Sequence, residues 1–273
     1  MSTAISSKHH VVVLGAGVIG LQTALTILSH DIRVTLLSVS WPGCLSDPYY
    51  TSMFSGAQWR SNPDMNDRRQ QSWDRTTLLH WRDLLACHAP SELGLELHPA
   101  VFFWDSPVPV YRLEKSHWWI TDPDLMPVRD LGPDDCAAPG NADGAGFAYQ
   151  TITVNPVVYC TWLLRQCESA PEGQFETRVL HVKSFSQVFD EVPGTKAVVN
   201  CTGLGAGKLA DDEACFPTLG QTVLVKGKAH RVVTRRNEQE EQPWEALVIP
   251  RPGEEITVLG GVQGEGGLVH PAE

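Results

Sequence analysis

Hydrophobic positions in the first forty residues follow two different periods. A continuous apolar run at 11–14 is followed by a glycine-rich turn, and a second segment rich in aliphatic residues extends from Ile32 to Val39. Between them, apolar residues recur at helical spacing at Val18, Leu21, Leu25 and Leu28. Short runs rich in β-branched residues favour buried strands, and the helical spacing favours an amphipathic helix. The pattern predicts a strand, a tight turn, a helix and a second strand.

The next hundred residues break this pattern. Residues 41–64 are turn-rich and aromatic, and an amphipathic helix is predicted from Thr76 to His88. Strand-like pieces follow at 101–105 and 117–121, and residues 122–146 have the composition of a loop. Their aromatic residues, Phe102, Phe103, Trp104, Trp118 and Trp119, are expected to form sheet core rather than a ligand site.

The alternation of strands and helices resumes at residue 155. Asn155 and Pro156 suit the N-cap and first position of a helix that continues through Gln166. Strands are predicted at 175–180 and, as a buried strand, at 196–200, with a short helical or turn segment at 184–190 between them. Antiparallel strands are predicted at 220–227, 245–253 and 256–261, and the mixed-charge stretch 235–241 is expected to be a solvated loop.

The glycine-rich turn has the spacing of a dinucleotide-binding site. Gly15 permits the turn, Gly17 lacks a Cβ that would block a pyrophosphate, and Gly20 allows the helix to pack against the strand. The ribose-binding Asp or Glu that commonly ends the second strand is absent, and Ser38 and Ser40 stand there instead. A hydroxyl can bind a ribose, but without the strength of a carboxylate.

A second glycine cluster bears on whether the bound nucleotide is NAD or FAD. Gly203, Gly205 and Gly207 follow the predicted strand 196–200, and residues 41–64 interrupt the nucleotide fold where an NAD domain would continue directly. Two glycine turns in a sheet split by a long insertion are typical of FAD folds. An NAD-dependent dehydrogenase is the weaker alternative.

Composition and charge narrow the function further. The net charge of −11 argues against nucleic acid, which requires clustered Lys and Arg. No apolar run approaches the roughly 20 residues that span a bilayer, and the seven scattered cysteines and ten histidines show no metal-ligand spacing. We expect a soluble intracellular protein with reduced thiols, no metal, no nucleic acid partner and no membrane association.

Seven stretches, read in order, resemble the family of D-amino acid oxidases and D-aspartate oxidases. They are VVVLGAGVIGLQTAL, YTSMFSGAQW, WWITD, VNPVVYCTWL, VVNCTGLGAGKL, GQTVLVKG and VIPRPGEEITVLGG. Their order and approximate spacing cover nearly the whole chain, so the set is much more specific than any one motif.

The resemblance implies a bound FAD in an elongated form. Its pyrophosphate would lie on Gly15, Gly17 and Gly20, and Ala16, Val18, Ile19 and Ser38 would also contact the cofactor. Thr51, Ser52, Gly56 and Ala57 would line the loop beside the isoalloxazine ring. Val179, Thr202 and Gly203 would meet the adenosine and ribityl portions.

The fold implied by the resemblance is α/β. An FAD-binding Rossmann-like fold of the glutathione reductase type, from 1–60 and 150–219, would be interleaved with an antiparallel-sheet substrate domain from 61–149 and 220–273. The implied reaction transfers a hydride from the α-carbon of a D-amino acid to the flavin, and dioxygen then accepts the electrons and becomes hydrogen peroxide. A homodimer in the cytoplasm or peroxisome is expected, although the final residues HPAE are not an S-K-L-type signal.

The C-terminal third departs from the family pattern. The family's substrate-binding Arg and a late glycine-rich segment would lie after Glu273, and Trp244 and Gln263 stand where tyrosines are expected. Arg251 is expected to be structural, and no catalytic residue is assigned. Two interpretations stay open: an FAD-dependent D-amino acid oxidase, and a truncated or non-catalytic flavin-binding relative.

Overall fold

The computed structural model describes residues 9–61, 66–104, 117–122, 124–131, 145–237 and 244–265. They form two compact units, each assembled from separated segments of the chain. Unit 1 contains the described residues up to Ser55 and the segment Pro156–Thr218, and unit 2 contains those of Gly56–Asn155 and Leu219–Gly264. Among the described residues, no helix is both long enough and apolar enough to cross a membrane.

Unit 1 contains a four-stranded parallel sheet with helices between its strands. Numbered in chain order, its strands are β1 (His10–Leu14), β2 (Arg33–Ser38), β6 (Phe175–Val179) and β7 (Ala197–Asn200). Its helices are α1 (Val18–Leu28), α4 (Pro156–Glu168), α5 (Phe185–Glu191) and α6 (Gly205–Ala210), with a 3₁₀ turn at Thr51–Phe54. The predictions of β1, α1, β2 and the helix at 184–190 are confirmed.

The strand order β6-β2-β1-β7 places the two most apolar strands in the centre. Val12, Val13, Val34 and Leu36 are fully buried, as expected for strands that are covered on both faces. Leu14 lies opposite Leu37 and Asn200, and Ser38 lies opposite Val179. Because all four strands are parallel, their carboxyl ends share one edge of the sheet.

The prediction of a buried strand at 196–200 is wrong in one respect. β7 is an edge strand, with Ala197 exposed and the other three residues half-buried. An apolar run shows that a segment can be a strand, but the position of that strand in the sheet depends on pairings with residues far away in sequence.

The described residues of unit 2 form a seven-stranded mixed sheet and two helices. The strands are β3 (Leu95–Trp104), β4 (Arg129–Leu131), β5 (Ala145–Val154), β8 (Thr218–Lys226), β9 (Val232–Asn237), β10 (Trp244–Pro250) and β11 (Ile256–Glu265). The helices are α2 (Arg68–Cys87) and α3 (Pro90–Leu93), with a 3₁₀ turn at Trp118–Thr121. The order is β4-β5-β3-β9-β10-β11-β8, in which β3 and β9 are parallel and the β4–β5, β5–β3, β9–β10 and β10–β11 pairs antiparallel.

The aromatic residues of unit 2 form a core on one face of this sheet. Phe102 lies opposite Phe147 on β5, and their rings stack with centroids 5.5 Å apart. Trp119 meets Phe147 edge-on at 5.7 Å and is fully buried. The interpretation of the aromatic cluster as sheet core is confirmed for Phe102, Trp104, Trp118 and Trp119. Phe103, which alternates to the opposite face, is half-buried.

The segment at 117–121 is not a strand. Trp118 and Trp119 are both buried although they are adjacent, and the backbone forms a 3₁₀ turn that directs both rings inward. The two indole N–H groups donate to the hydroxyl and the carbonyl oxygen of Ser61. A strand would have placed the two rings on opposite faces, and only one could then have entered this core.

Three strands and part of a helix were not predicted from the sequence. β5 and β9 were not predicted, and 235–237, expected in a solvated loop, belongs to β9; residues 238–241 lie outside the described residues. Likewise, β4 lies within the predicted loop 122–146. Helix α2 begins eight residues before Thr76, because Asp67 caps it by accepting from the Gln70 N–H, and its first two turns lack a hydrophobic period.

Candidate functional site

The three glycines of the turn after β1 have different structural roles. Gly15 has φ +94°, and a Cβ on it would lie 2.4 Å from the carbonyl oxygen of Cys201. A Cβ on Gly20 would lie 1.8 Å from the carbonyl oxygen of Gly15. At Gly17 the nearest atom to a Cβ would be Ser52 Oγ at 3.1 Å. Packing within the protein therefore requires Gly15 and Gly20, and a Cβ on Gly17 would press on the Ser52 hydroxyl.

The turn leads into the amino-terminal end of α1. The first i→i−4 bond of the helix runs from the Leu21 N–H to the Gly17 oxygen, so the preceding N–H groups lie at the positive end of the helix dipole. The first turn of α1 carries no acidic residue. Such an end attracts an anionic group, and a phosphate is the usual one.

Two serines fix the turn from neighbouring segments. The Ala16 N–H donates to Ser38 Oγ at 3.2 Å, and Ser38 donates in turn to the Ser40 oxygen at 2.7 Å. The Val18 N–H donates to Ser52 Oγ at 3.1 Å. Both residues were predicted for cofactor binding, and both lie against the glycine turn. Their hydroxyls hold its backbone in place.

Tyr50 is a third support, which the sequence analysis missed. Its hydroxyl donates to the carbonyl oxygen of Ala16 at 2.5 Å, and the residue is buried. Burial raises the pKa of the phenol well above its usual range, so Tyr50 remains a donor throughout the physiological pH range. Tyr50 precedes the 3₁₀ turn that carries Thr51, whose side chain is exposed. No spacing rule distinguishes Tyr50 from its exposed neighbour Tyr49.

The second glycine cluster lies directly beside the first. The Cys201 N–H donates to the Leu14 oxygen, which places the end of β7 against Gly15. Thr202 donates from its hydroxyl to Asn200 Oδ1 at 2.7 Å, and Gly203 adopts φ +58° with no atom within 4 Å of its Cβ position. The predicted residues Thr202 and Gly203 therefore share the carboxyl edge of the parallel sheet with the glycine turn.

Val179 extends this edge on the other side. It ends β6 beside Ser38, and it is 75% exposed, which is unusual for an aliphatic residue. The carboxyl edge of unit 1 thus contains, in order, an exposed apolar residue, a buried hydroxyl, a glycine turn and a second glycine turn. Such an edge suits an elongated nucleotide whose phosphates require backbone N–H groups and the absence of a Cβ. The residues present fit FAD.

Gly56 and Ala57 belong to unit 2, where they line a cavity of about 200 Å³. The Ala57 N–H donates to the Val154 oxygen, and the Trp59 N–H to the Ile152 oxygen, so the segment pairs with the end of β5. Strands β10 and β11 supply apolar side chains of the lining, including Leu247, Ile249 and Val258. In register, Leu247 lies opposite Gly260 and Ile249 opposite Val258, so all four share one face of the sheet.

A buried ion pair lies at this cavity. Arg60, which lines it, donates from Nη2 to Glu245 Oε1 at 2.6 Å and from Nη1 to Thr234 Oγ1 at 3.4 Å. The two charged side chains are only 11% and 19% exposed. The Arg60 guanidinium also lies over the Phe102 ring, 5.8 Å from its centroid. Within the described residues, the carboxamide oxygen of Gln58 is buried and has no hydrogen-bond partner.

A larger and more polar cavity of about 430 Å³ lies elsewhere in unit 2, against α2. Of its lining residues, Arg75 donates to both Asp122 and Asp124, so its charge is matched. No cluster of three His, Cys, Asp or Glu that could hold a metal is present in the part of the chain that the structure describes. Arg251 is buried.

Comparison with known proteins identifies the family to which this chain belongs. Residues 10–272 match the family model described as FAD dependent oxidoreductase. The chain belongs to this family of FAD-dependent oxidoreductases, as the resemblance implied.

The names of curated relatives are more specific than the description of the family model. A D-aspartate oxidase from Talaromyces thermophilus is 30% identical over 94% of this chain and 71% of its own length. A D-amino-acid oxidase from Schizosaccharomyces pombe is 29% identical over 98% of this chain and 74% of its own length.

Solved structures agree with the fold. L-proline dehydrogenase from P. horikoshii superposes with a TM-score of 0.71 at 13% identity, covering 97% of this chain and 73% of that one. Glycine oxidase from Geobacillus kaustophilus gives 0.66 at 16% identity, covering 97% and 74%. At these identities the likeness shows the fold alone, and it confirms the predicted α/β class.

Proposed function

We propose that this chain binds FAD and oxidises a D-amino acid to the imino acid, which water converts to the 2-oxo acid, while dioxygen is reduced to hydrogen peroxide. The observation that carries the proposal is the glycine turn of residues 15–20 at the amino-terminal end of α1, supported by Tyr50, Ser38 and Ser52, in a chain of the FAD-dependent oxidoreductase family. The names of the curated relatives support the class of substrate.

We infer separate roles for the two units. Unit 1 would bind the cofactor, with its pyrophosphate on residues 15 to 20 and the adenosine and ribityl portions near Val179, Thr202 and Gly203. Unit 2 would bind the substrate, with Gly56 and Ala57 contributing to the loop beside the isoalloxazine ring. FAD, when bound, supplies the hydride acceptor. The residues of the chain need only bind, orient and shield the substrate, because no protein base is required in this chemistry.

The first experiment is an absorbance spectrum of the purified chain, followed by anaerobic addition of D-alanine and D-aspartate. A flavin spectrum that bleaches, and peroxide release when air is admitted, are expected. A flavin spectrum that neither compound nor any other D-amino acid bleaches would favour the non-catalytic flavin-binding alternative. A colourless protein that gains no flavin on addition of FAD would contradict the cofactor assignment itself.

The position of the cofactor is tested at Gly17. In Gly17→Val the new side chain presses on the Ser52 hydroxyl that accepts from the Val18 N–H and adds bulk to the turn that we propose binds the pyrophosphate, so FAD retention should be abolished. Gly220→Val is the matched control, because Gly220 has no atom within 4 Å of its Cβ position and lies in β8. Flavin content per protein is measured by absorbance, with circular dichroism to show that both variants fold. A Gly17→Val protein that purifies fully loaded would disprove the assignment of this turn.

A further inference from the structure

The hydroxyl groups at the end of β2 are already used within the protein. Ser38 is buried, and its hydroxyl accepts from the Ala16 N–H and donates to the Ser40 oxygen. Ser40 donates from its own hydroxyl to Asp47 Oδ2 at 2.5 Å. Because a hydroxyl has one proton to donate, both serines have committed theirs to protein acceptors. A ribose that reached this edge would therefore need a different group to accept the protons of its own hydroxyls.

Asp47 brings a carboxylate to the place where the second strand ends. It follows Ser40 by seven positions in the sequence, yet its Oδ2 accepts from the Ser40 hydroxyl. Its Oδ1 accepts from the Tyr49 N–H at 3.0 Å, and its main-chain oxygen accepts from the Tyr50 N–H at 3.1 Å. Tyr50 is in turn fixed on the glycine turn through its hydroxyl. The loop that carries Asp47 is thus attached both to the end of β2 and to the turn.

The Asp47 carboxylate can accept further hydrogen bonds. A carboxylate offers about four lone-pair sites, and within the described residues Ser40 and Tyr49 occupy two of them. The residue is half-buried, and none of the described Lys, Arg or His residues forms an ion pair with it. A ligand hydroxyl that donates to Asp47 would therefore form a charge-assisted hydrogen bond without displacing a protein partner.

The same edge offers a surface for the base that accompanies such a ribose. Val179 is 75% exposed and lies opposite Ser38 in the β2–β6 pair. An adenine packed on this aliphatic side chain would have its ribose beside the end of β2 and its phosphates toward the amino-terminal end of α1. That order brings the ribose hydroxyls to the neighbourhood of Ser40 and Asp47.

We propose that Asp47 supplies the carboxylate that binds the adenosine ribose of FAD, in place of the Asp or Glu that the end of β2 lacks, and that Ser40 orients this carboxylate. The inference rests on the proposed cofactor and assigns to it a residue outside the glycine motifs. In the common arrangement the acidic residue stands at the end of the second strand itself. Here Ser38 stands there and supports the turn, and the loop after the strand binds the ribose.

The test compares ADP with 2′,3′-dideoxy-ADP, which share the base and the phosphates and differ in the two ribose hydroxyls. Binding to the full chain freed of flavin is measured by isothermal titration calorimetry. The wild type should bind ADP about tenfold or more tightly than the dideoxy compound, because a charge-assisted hydrogen bond is lost with the hydroxyls. In Asp47→Asn this ratio should fall to within about threefold, since the amide oxygen can still accept from Ser40 but carries no charge.

A second measurement compares FAD with FMN, which lacks the adenosine half. Asp47→Asn should raise the Kd of FAD about tenfold and leave that of FMN within about twofold, because only FAD carries this ribose. If Asp47 only held the loop in shape, both flavins would be affected alike or neither would be affected.

Asp31→Asn is the matched control. Asp31 is exposed and precedes β2, so this variant removes the same charge at the opposite end of the strand. Its FAD affinity and its ratio of ADP to dideoxy-ADP affinity should stay within about twofold of those of the wild type, since a remote exposed charge is screened.

The outcomes separate this inference from the proposed function. If the wild type binds FAD but does not discriminate between the two nucleotides, or if Asp47→Asn retains the full discrimination, Asp47 does not bind the ribose and the cofactor assignment stands. If the chain binds neither FAD nor ADP, both proposals fail. Should Asp47→Asn not fold, Ser40→Ala decides. It keeps the main-chain oxygen that Ser38 uses and releases the carboxylate, so the ratio should fall about threefold, and an unchanged ratio would overturn the inference.

Discussion

In unit 1 the candidate site consists mainly of main-chain atoms, whereas the cavity of unit 2 is bounded by side chains from strands far apart in the sequence. The turn that carries Gly15, Gly17 and Gly20 spans six consecutive residues. Arg60 and Glu245 are 185 positions apart. A site made of consecutive backbone is visible as a sequence motif, and one made of distant side chains becomes visible only when the strands are paired.

The largest effect is expected from Gly20→Ala, which would disrupt the glycine turn of unit 1. In Gly20→Ala the Cβ would lie 1.8 Å from the Gly15 oxygen, so the helix and the turn must separate. A loss of about 4 kcal/mol or more in the free energy of unfolding is expected, measured by urea denaturation of the protein without added FAD.

The control for that variant is Gly205→Ala in α6. There the nearest atoms are Thr202 side-chain atoms at 3.5 and 3.6 Å, which is ordinary contact. Alanine is a better helix former than glycine, so this change should alter the free energy of unfolding by no more than about 1 kcal/mol. Equal stabilities of the two variants would show that the close packing of α1 on the turn is not required.

A smaller effect is expected from the side-chain core of unit 2. His117 is buried among Phe102, Trp104, Trp119 and Phe147, and burial, reinforced by Arg60 and Arg236, lowers its pKa from 6.5 to about 4. Between these values the unfolded chain binds a proton that the native protein does not. The free energy of unfolding should therefore fall by about 3 kcal/mol as the pH decreases from 6.5 to 4.

His10 and His98 add to the same decline, because burial lowers the pKa of each. His117→Phe should remove the contribution of His117, and denaturation curves at several pH values would measure it. His80→Phe, on an exposed position of α2, is the control and should leave the decline unchanged. A decline as steep in His117→Phe as in the wild type would mean that His117 is not kept neutral by the core.

The smallest effect is expected at Tyr50, whose side chain supports the glycine turn of unit 1. Tyr50→Phe removes the donor to the Ala16 oxygen and leaves that buried carbonyl unpaired. The free energy of unfolding should fall by about 1–2 kcal/mol, and FAD affinity should fall with it because the turn is less well ordered. Tyr49→Phe is the matched control, since the neighbouring Tyr49 is 74% exposed. If both variants bind FAD equally well, Tyr50 supports the fold but not the turn.

Features of the fold made of consecutive residues were predicted from the sequence, and features that depend on the pairing of distant strands were not. The sequence predicted the β1–α1–β2 pattern, the helix from Pro156 and the two glycine turns, because the signals for these features are local. β5 and β9 were missed because burial in a mixed sheet follows the partner strands: the last four residues of β5, 151–154, are all buried, so the alternation is lost at that end of the strand. Likewise, two adjacent buried tryptophans in a 3₁₀ turn resemble a strand in composition.

For the candidate site, the glycine turn was predictable, whereas the contacts by which Ser38, Ser52 and Tyr50 support it were not. Ser52 was assigned to the flavin loop from the resemblance, and its contact with the Val18 N–H emerged only from the fold. Nothing in the spacing of Arg60 and Glu245 indicates that they form an ion pair beside a cavity. The pairing of distant strands determines that arrangement.

The position of β7 beside β1 has a consequence for how the protein is made. Val11 pairs with Ala197, so β1 cannot pair with β7 until about 190 further residues have been synthesised. That synthesis takes roughly 10–40 s at 5–20 residues per second. The apolar β1 and its neighbour β2 emerge from the ribosome long before their sheet can be completed. The nascent chain is therefore exposed to aggregation during translation, and its yield in cells should depend on chaperones that protect this early segment.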